Sequence, residues 1–234
     1  MRSNIIKTVG EENGERNRWR RFFLIGLFAP LLLSGCASSG VKDTTKTFNT
    51  VVIDPGHGGG DDGAKSRWAG REKNHNLDVA QRLSARLRAA GFKTVMTRQT
   101  DTFIPLEKRA SISNRQDNSL FVSVHFNHSP SRRIRGAEVY YKSPVSRQVA
   151  QRILANIDAI PGSSARYVKT SNFRVLRLNR YPAVLVECGY LSNRGEGARC
   201  GSPAHRERLA GAIATALLEQ RGMTQPAGTA VAAR

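Results

Sequence analysis

A chain of 234 residues with 39% hydrophobic side chains carries enough apolar material for one folded domain, which excludes a disordered chain. No apolar run approaches the roughly 20 residues needed to span a bilayer, which excludes a polytopic membrane protein. The balance of 37 Lys and Arg against 18 Asp and Glu gives a net charge of +19 and favours anionic partners, while three cysteines are too few for a disulfide scaffold.

The first informative segment reads as an address. Residues 15–21 (ERNRWRR) carry four arginines, and a 12-residue apolar run follows at 22–33. Next comes Leu33-Ser34-Gly35-Cys36. Small residues before a cysteine, directly after such a run, resemble the lipobox of bacterial lipoproteins. That resemblance implies a signal peptide over 1–35, cut before Cys36, with lipid carried on Cys36. Ala37 resembles the residue found in lipoproteins sent on to an outer membrane. The expectation is an exported, membrane-anchored protein facing the periplasm at the outer membrane. Such a protein meets no nucleic acid, and cell-wall polymer and lipid head groups are the anionic partners in reach. Residues 36–47 read as a polar, lipid-anchored tether, and residues 222–234 as a fraying tail.

Between these ends strands and helices alternate. Residues 50–53 form a β-branched strand stopped by Asp54-Pro55-Gly56. Over 76–90, Leu77, Ala80, Leu83, Leu87 and Ala90 recur at helical spacing, with Gly91 as a C-terminal stop. Strands are expected at 92–97, 120–125, 137–141, 175–178 and 183–187. Helices are expected at 106–115, 146–157 and 203–221. This pattern predicts one α/β domain over 48–221, built on an open, mostly parallel, twisted sheet with helices on both faces. Ligands of such sheets gather at the carboxyl ends of the strands.

Four polar residues occupy those ends. His57 lies past the first strand in DPGHGGG, and Glu72 lies in the following loop, in GREKNHNL. His125 ends the central strand in SVHFNHS, and Glu187 ends another in VLVECGYLSN. Two imidazoles and one carboxylate make the ligand type of catalytic zinc with an open position, and the remaining carboxylate would act as general base. Each residue alone has an ordinary explanation: His57 a turn residue, Glu72 a helix-start carboxylate, His125 a hydrogen-bonded core histidine. Glu187 is the sharpest, because a carboxylate behind Val184-Leu185-Val186 is costly to bury without a purpose.

With VVIDPGHGG (51–59), GREK (70–73), Thr97-Arg98, LEKRASISN (106–114), SVHFN (123–127), GAEVYY (136–141) and VLVECGYLSN (184–193), the sequence resembles the zinc-dependent N-acetylmuramoyl-L-alanine amidases of bacterial cell walls. The resemblance implies a six-stranded α/β domain and one zinc ion per chain, with His57, Glu72 and His125 as metal ligands and Glu187 as the catalytic glutamate. The implied substrate is peptidoglycan, cut at the amide between N-acetylmuramic acid and L-alanine. The alternatives are a zinc peptidase acting within the stem peptide and a non-catalytic wall-binding lipoprotein. The family does not use the positions of His75 and His128 as ligands, and both are expected at the surface or rim. Cys188 and Cys200 are the thiols left after Cys36, and a bridge between them is open. The interval between His125 and Glu187 is too short for the blocking helix some family members carry, so an open site with no obligate protein partner is expected. Arg71 and Asn127 are expected to meet stem-peptide carboxylates, and the glycines at 56 and 58–60 to admit a bulky glycan.

Overall fold

The computed structural model describes residues 40–223. The apolar run 51–53 becomes β1 (Thr50–Pro55), buried along its whole length. A two-residue hairpin, β2 (Lys65–Ser66) and β3 (Gly70–Arg71), leads into α1 (Glu72–Ala89). This helix buries Val79, Ala80, Leu83 and Leu87 on one face and stops at Gly91, whose φ of +89° suits a residue without Cβ. There follow β4 (Lys93–Met96), α2 (Leu106–Asn114), β5 (Ser119–Asn127) and β6 (Ala137–Tyr141). The chain then forms a 3-10 turn (Pro144–Ser146), α3 (Arg147–Asp158), β7 (Ala165–Thr170), α4 (Arg174–Arg177), β8 (Ala183–Tyr190), α5 (Arg194–Gly201) and α6 (Pro203–Gln220).

Six strands form one sheet in the order β4-β1-β5-β8-β6-β7. The first four are mutually parallel, and β6 runs antiparallel to β8 with β7 parallel to β6. The expected α/β class, strand number and mostly parallel direction are all present. Two local expectations are not. Residues 175–178 are not a strand: Val175 and Leu176 are buried from the helix α4. The sixth strand is β7 (ARYVKT), an edge strand exposed along most of its length, so its sequence has no apolar alternation to reveal it. Part of the segment expected as a tether, 36–47, lies within the described residues and is ordered on the domain. Thr44 Oγ1 donates to Ser119 O (2.6 Å), Lys42 N donates to Arg180 O (2.8 Å), and Thr44 and Thr45 are buried. Residues 42–47 are therefore docked on the domain, at the end where β5 and β8 begin.

The faces of the sheet are covered unequally. On one, Val51, Ile53, Val122, Val124 and Val186 pack into the large core built with α1, α3 and α6. On the other, Val52, Phe121, Ala183 and Leu185 meet a smaller cluster with Val175 and Leu176 of α4 and Ile112 of α2. Because side chains alternate along a strand, Ser123, His125 and Glu187 point to this second face. Among the described residues its helical cover is the nine residues of α2 and the four of α4. A cleft is left there, at the carboxyl ends of the strands.

Candidate metal and catalytic centre

His57 follows β1 in a left-handed conformation, φ +60°, which a residue with Cβ adopts at a cost of about 1 kcal/mol. Two buried arginines hold that loop. Arg109 donates to Asp54 Oδ1 (2.8 Å), Pro55 O (2.7 Å) and His57 O (2.7 Å). Arg98 donates to Pro55 O (3.0 Å), Gly56 O (2.8 Å) and Lys73 O (2.8 Å). Asp54 is itself buried and also accepts from Thr97 (2.5 Å) and Ser123 (2.7 Å). The motif pieces Thr97-Arg98 and LEKRASISN thus fix the backbone that carries His57. Gly56 leaves room for the neighbouring ligand: a Cβ there would lie 2.1 Å from the His125 ring. Gly58 and Gly59, at positive φ, lie against the backbone of Thr102 and Phe103, whereas Gly60 faces open space.

Glu72 opens α1, four residues before the apolar period begins, and is buried. Its Oε1 lies 3.1 Å from His57 Nε2 and 3.0 Å from His125 Nδ1. Its carboxylate also accepts from Ala64 N (2.8 Å), Asn76 Nδ2 (3.1 Å) and Phe126 N (3.1 Å). His57 Nδ1 lies 2.7 Å from Asp61 Oδ2, which orients the ring and leaves Nε2 for the cluster. One ligand atom from each of His57, Glu72 and His125 lies within 4.8 Å of the others, so these three residues could hold a metal ion.

The electrostatics of the cluster favour positive charge beside Glu72. Burial pulls His57 down, but Glu72 and Asp61 outweigh it and hold its pKa at about 9. His125 is also raised, burial being outweighed by Glu72. Burial opposes ionisation of Glu72, yet both histidines hold its carboxyl well below the usual range.

Glu187 stands in register with His125 on adjacent strands. Burial raises its pKa to about 7, against the pull of His125, and its Oε2 is buried without a hydrogen-bond partner. It lines the cleft with His57 and His125 in a cavity of about 530 Å³, whose other wall is apolar, with Phe103, Leu106 and Phe173 exposed at the rim. Sequence reasoning missed Asp61, Asn76 and Glu138. Glu138 is fully buried opposite Glu187 and accepts from Tyr140 (2.6 Å), Tyr190 (2.6 Å), Arg166 (2.7 Å) and Asn127 (3.2 Å). The available signal was a carboxylate between Ala137 and Val139 in an otherwise apolar strand.

Other expectations resolve locally. His75 is buried with Nε2 on Ala69 O rather than at the rim, whereas His128 is exposed. Arg71 pairs with Asp62 (3.4 Å), and Asn127 is engaged by Glu138. Cys188 and Cys200 are free, buried thiols. Between His125 and Glu187, α3 packs on α6 and β6 rather than across the cleft.

Known proteins resemble this chain along most of its folded part. The N-acetylmuramoyl-L-alanine amidase family matches residues 51–219. The N-acetylmuramoyl-L-alanine amidase LytC of Bacillus subtilis is 34% identical over 168 residues, which are 70% of this chain and 34% of LytC. This chain therefore spans about a third of that relative. The catalytic domain of the amidase CwlV from Bacillus (Paenibacillus) polymyxa superposes with a TM-score of 0.72 at 34% identity, covering 76% of this chain and 100% of CwlV. The amidase AmiC2 of Nostoc punctiforme gives 0.70 at 35% identity, over 73% and 95% of the two chains.

Proposed function

Because the chain belongs to the N-acetylmuramoyl-L-alanine amidase family, we propose that it is a peptidoglycan hydrolase cleaving the amide between N-acetylmuramic acid and L-alanine, with zinc as its cofactor. The observation that carries the reading is the convergence of His57, Glu72 and His125 within 4.8 Å, beside a half-buried Glu187 whose inner oxygen Oε2 is buried and unpartnered.

His57, Glu72 and His125 would hold the zinc, whose chemistry there is to bring the pKa of water near 7 and to polarise the amide carbonyl. Asp61 keeps the His57 ring oriented through Nδ1, and Arg98 and Arg109 keep its backbone in place. Glu187 takes the proton of the attacking water as the C–O bond forms. It then delivers that proton to the alanine nitrogen as the C–N bond breaks, so the products are a muramic carboxylate and a free amine. Its burial suits both roles, since a carboxyl poised near neutrality accepts and returns a proton with little loss.

The test is digestion of purified sacculi with and without chelator, followed by mass analysis. The expected product is an intact stem peptide with a free L-alanine amino terminus, lost with chelator and restored by zinc. Fragments cut inside the stem peptide would establish the peptidase alternative, and no release at all the non-catalytic one.

We further propose export and lipid anchoring through Cys36, which lies outside the described residues, with the protein facing the periplasm at the outer membrane. The leader-like run before Cys36 supports this. Cys36→Ser should move the protein from the membrane fraction to the soluble one.

A further inference from the structure

A second cleft, of about 250 Å³, is lined by residues that follow β5 and β8 and by the β2–β3 hairpin, and shares no lining residue with the first. Three loops build it, and hydrogen bonds hold them together. Ser66 Oγ of the β2–β3 hairpin donates to Leu191 O (2.7 Å). Ser129 N, after β5, donates to Ser192 Oγ (2.9 Å), and Asn193 Nδ2 donates to Arg132 O (2.8 Å). Lys65, Arg67, His128 and Arg132 line it, and Trp68 forms an aromatic wall with the Arg67 guanidinium 4.0 Å from its ring centre. Arg194 stacks on the same ring from 5.3 Å. Lys65 is paired with Asp62, but Arg67, Arg132 and Arg194 have no carboxylate within 4.0 Å among the described residues. A preorganised cleft lined by unpaired guanidinium groups is suited to a ligand bearing carboxylate or phosphate oxygens.

Its place narrows the ligand. His128 follows the metal ligand His125 by three residues, so their Cα atoms are at most about 11 Å apart. An extended peptide advances roughly 3.5 Å per residue, so the second and third residues beyond a bond held at the metal reach that far. In a peptidoglycan stem these residues bear free carboxylates. We infer that the Arg67–Arg132 cleft is the subsite for the stem-peptide carboxylates, directing the peptide toward the β2–β3 hairpin. This rests on the amidase reading. The apolar shelf of Phe103, Leu106 and Phe173 in the other cleft then remains for the uncharged glycan side.

The test compares two muramyl-peptide substrates, one with the stem carboxylates free and one with them amidated, on the zinc-loaded wild type and on Arg67→Gln/Arg132→Gln. The wild type should prefer the free acid by about tenfold or more, and the double variant should lose that preference through KM with kcat kept. Lys93→Gln/Arg115→Gln, at the opposite end of the sheet, removes equal charge and should retain the preference. Equal cleavage of both substrates by the wild type, or a preference surviving in the double variant, would overturn the inference. Direct binding of the stem peptide alone separates the two readings. If neither substrate is cut but binding still requires the carboxylates and both arginines, the amidase reading falls and the subsite stands. If that binding requires neither, the subsite falls with it. Binding of a polyglycerol phosphate, with the same arginine dependence and no hold on the peptide, would assign the cleft to phosphate polymers instead.

Discussion

At the scale of single residues the centre is a problem in proton placement. The structure has two imidazoles sharing one carboxylate oxygen, and both hold their protons more tightly than a free histidine. A metal can bind only after those protons leave. Zinc affinity should therefore climb with pH until His57 is neutral, near pH 9. Calorimetry at pH 7 in buffers of different ionisation enthalpy should read more than one proton released per zinc, and a pH-independent affinity would refute this charge balance. Glu187 must be ionised to act as base, and a nearby cation can only lower its pKa of about 7. The rising limb of kcat/KM should accordingly fall at or below about pH 7. Glu187→Gln should retain zinc by elemental analysis and lose about 10²–10⁴ in turnover. His125→Ala should lose the metal as well. His125 and Glu187 were legible in the sequence because each is out of place, an imidazole ending an apolar strand and a carboxylate behind three aliphatic residues, whereas His57 and Glu72 were legible only through the motifs around them. Asp61 and Asn76 were not, because an acid or amide in a glycine-rich loop or helix start is ordinary until its partner is known.

At the scale of elements, the ligand loop after β1 is held from outside. Arg109 of α2 and Arg98 after β4 place their guanidinium groups under it, and the Arg109–Asp54 pair at 2.8 Å is almost fully buried. Removing one partner leaves a buried charge uncompensated, which costs about 3–5 kcal/mol. Arg109→Ala should destabilise the fold by that order in urea unfolding. Zinc affinity should weaken too, although Arg109 contacts no ligand atom. Unchanged zinc affinity would show that His57 is held without it. Sequence patterning found β1, β4, β5, β6, β8, α1, α2, α3 and α6, most clearly where a face is buried along its length, as in β1, β5, β8 and α1. Those it missed, β7 and α5, bury too little to impose a period. Residues 175–178 misled for a related reason, since four residues with two buried apolar side chains fit a short helix as well as a short strand.

At the scale of the whole molecule, acid should weaken the domain before it reaches the range of ordinary carboxylates. His205 at the start of α6 is buried, and burial with three nearby arginines lowers its pKa to about 4. The unfolded chain takes up that proton near pH 6.5, the folded chain only near 4. The stability associated with neutral His205 is therefore complete above 6.5 and lost as pH falls toward 4. Allowing for solvent screening of the arginines, the loss is about 2 kcal/mol. Denaturant midpoints from pH 7 to 4 should record it, and His205→Leu should flatten the slope. An unchanged slope in that variant would move the acid sensitivity elsewhere.

The docking of residues 42–47 against the beginnings of β5 and β8 gives the domain two poles. The chain enters at one, and the catalytic mouth opens at the other. Any tension transmitted through the preceding segment is borne at the entry pole, away from the loops that shape the mouth. Under the anchoring proposed above, the cleft would open at the pole away from the point where the chain enters the domain.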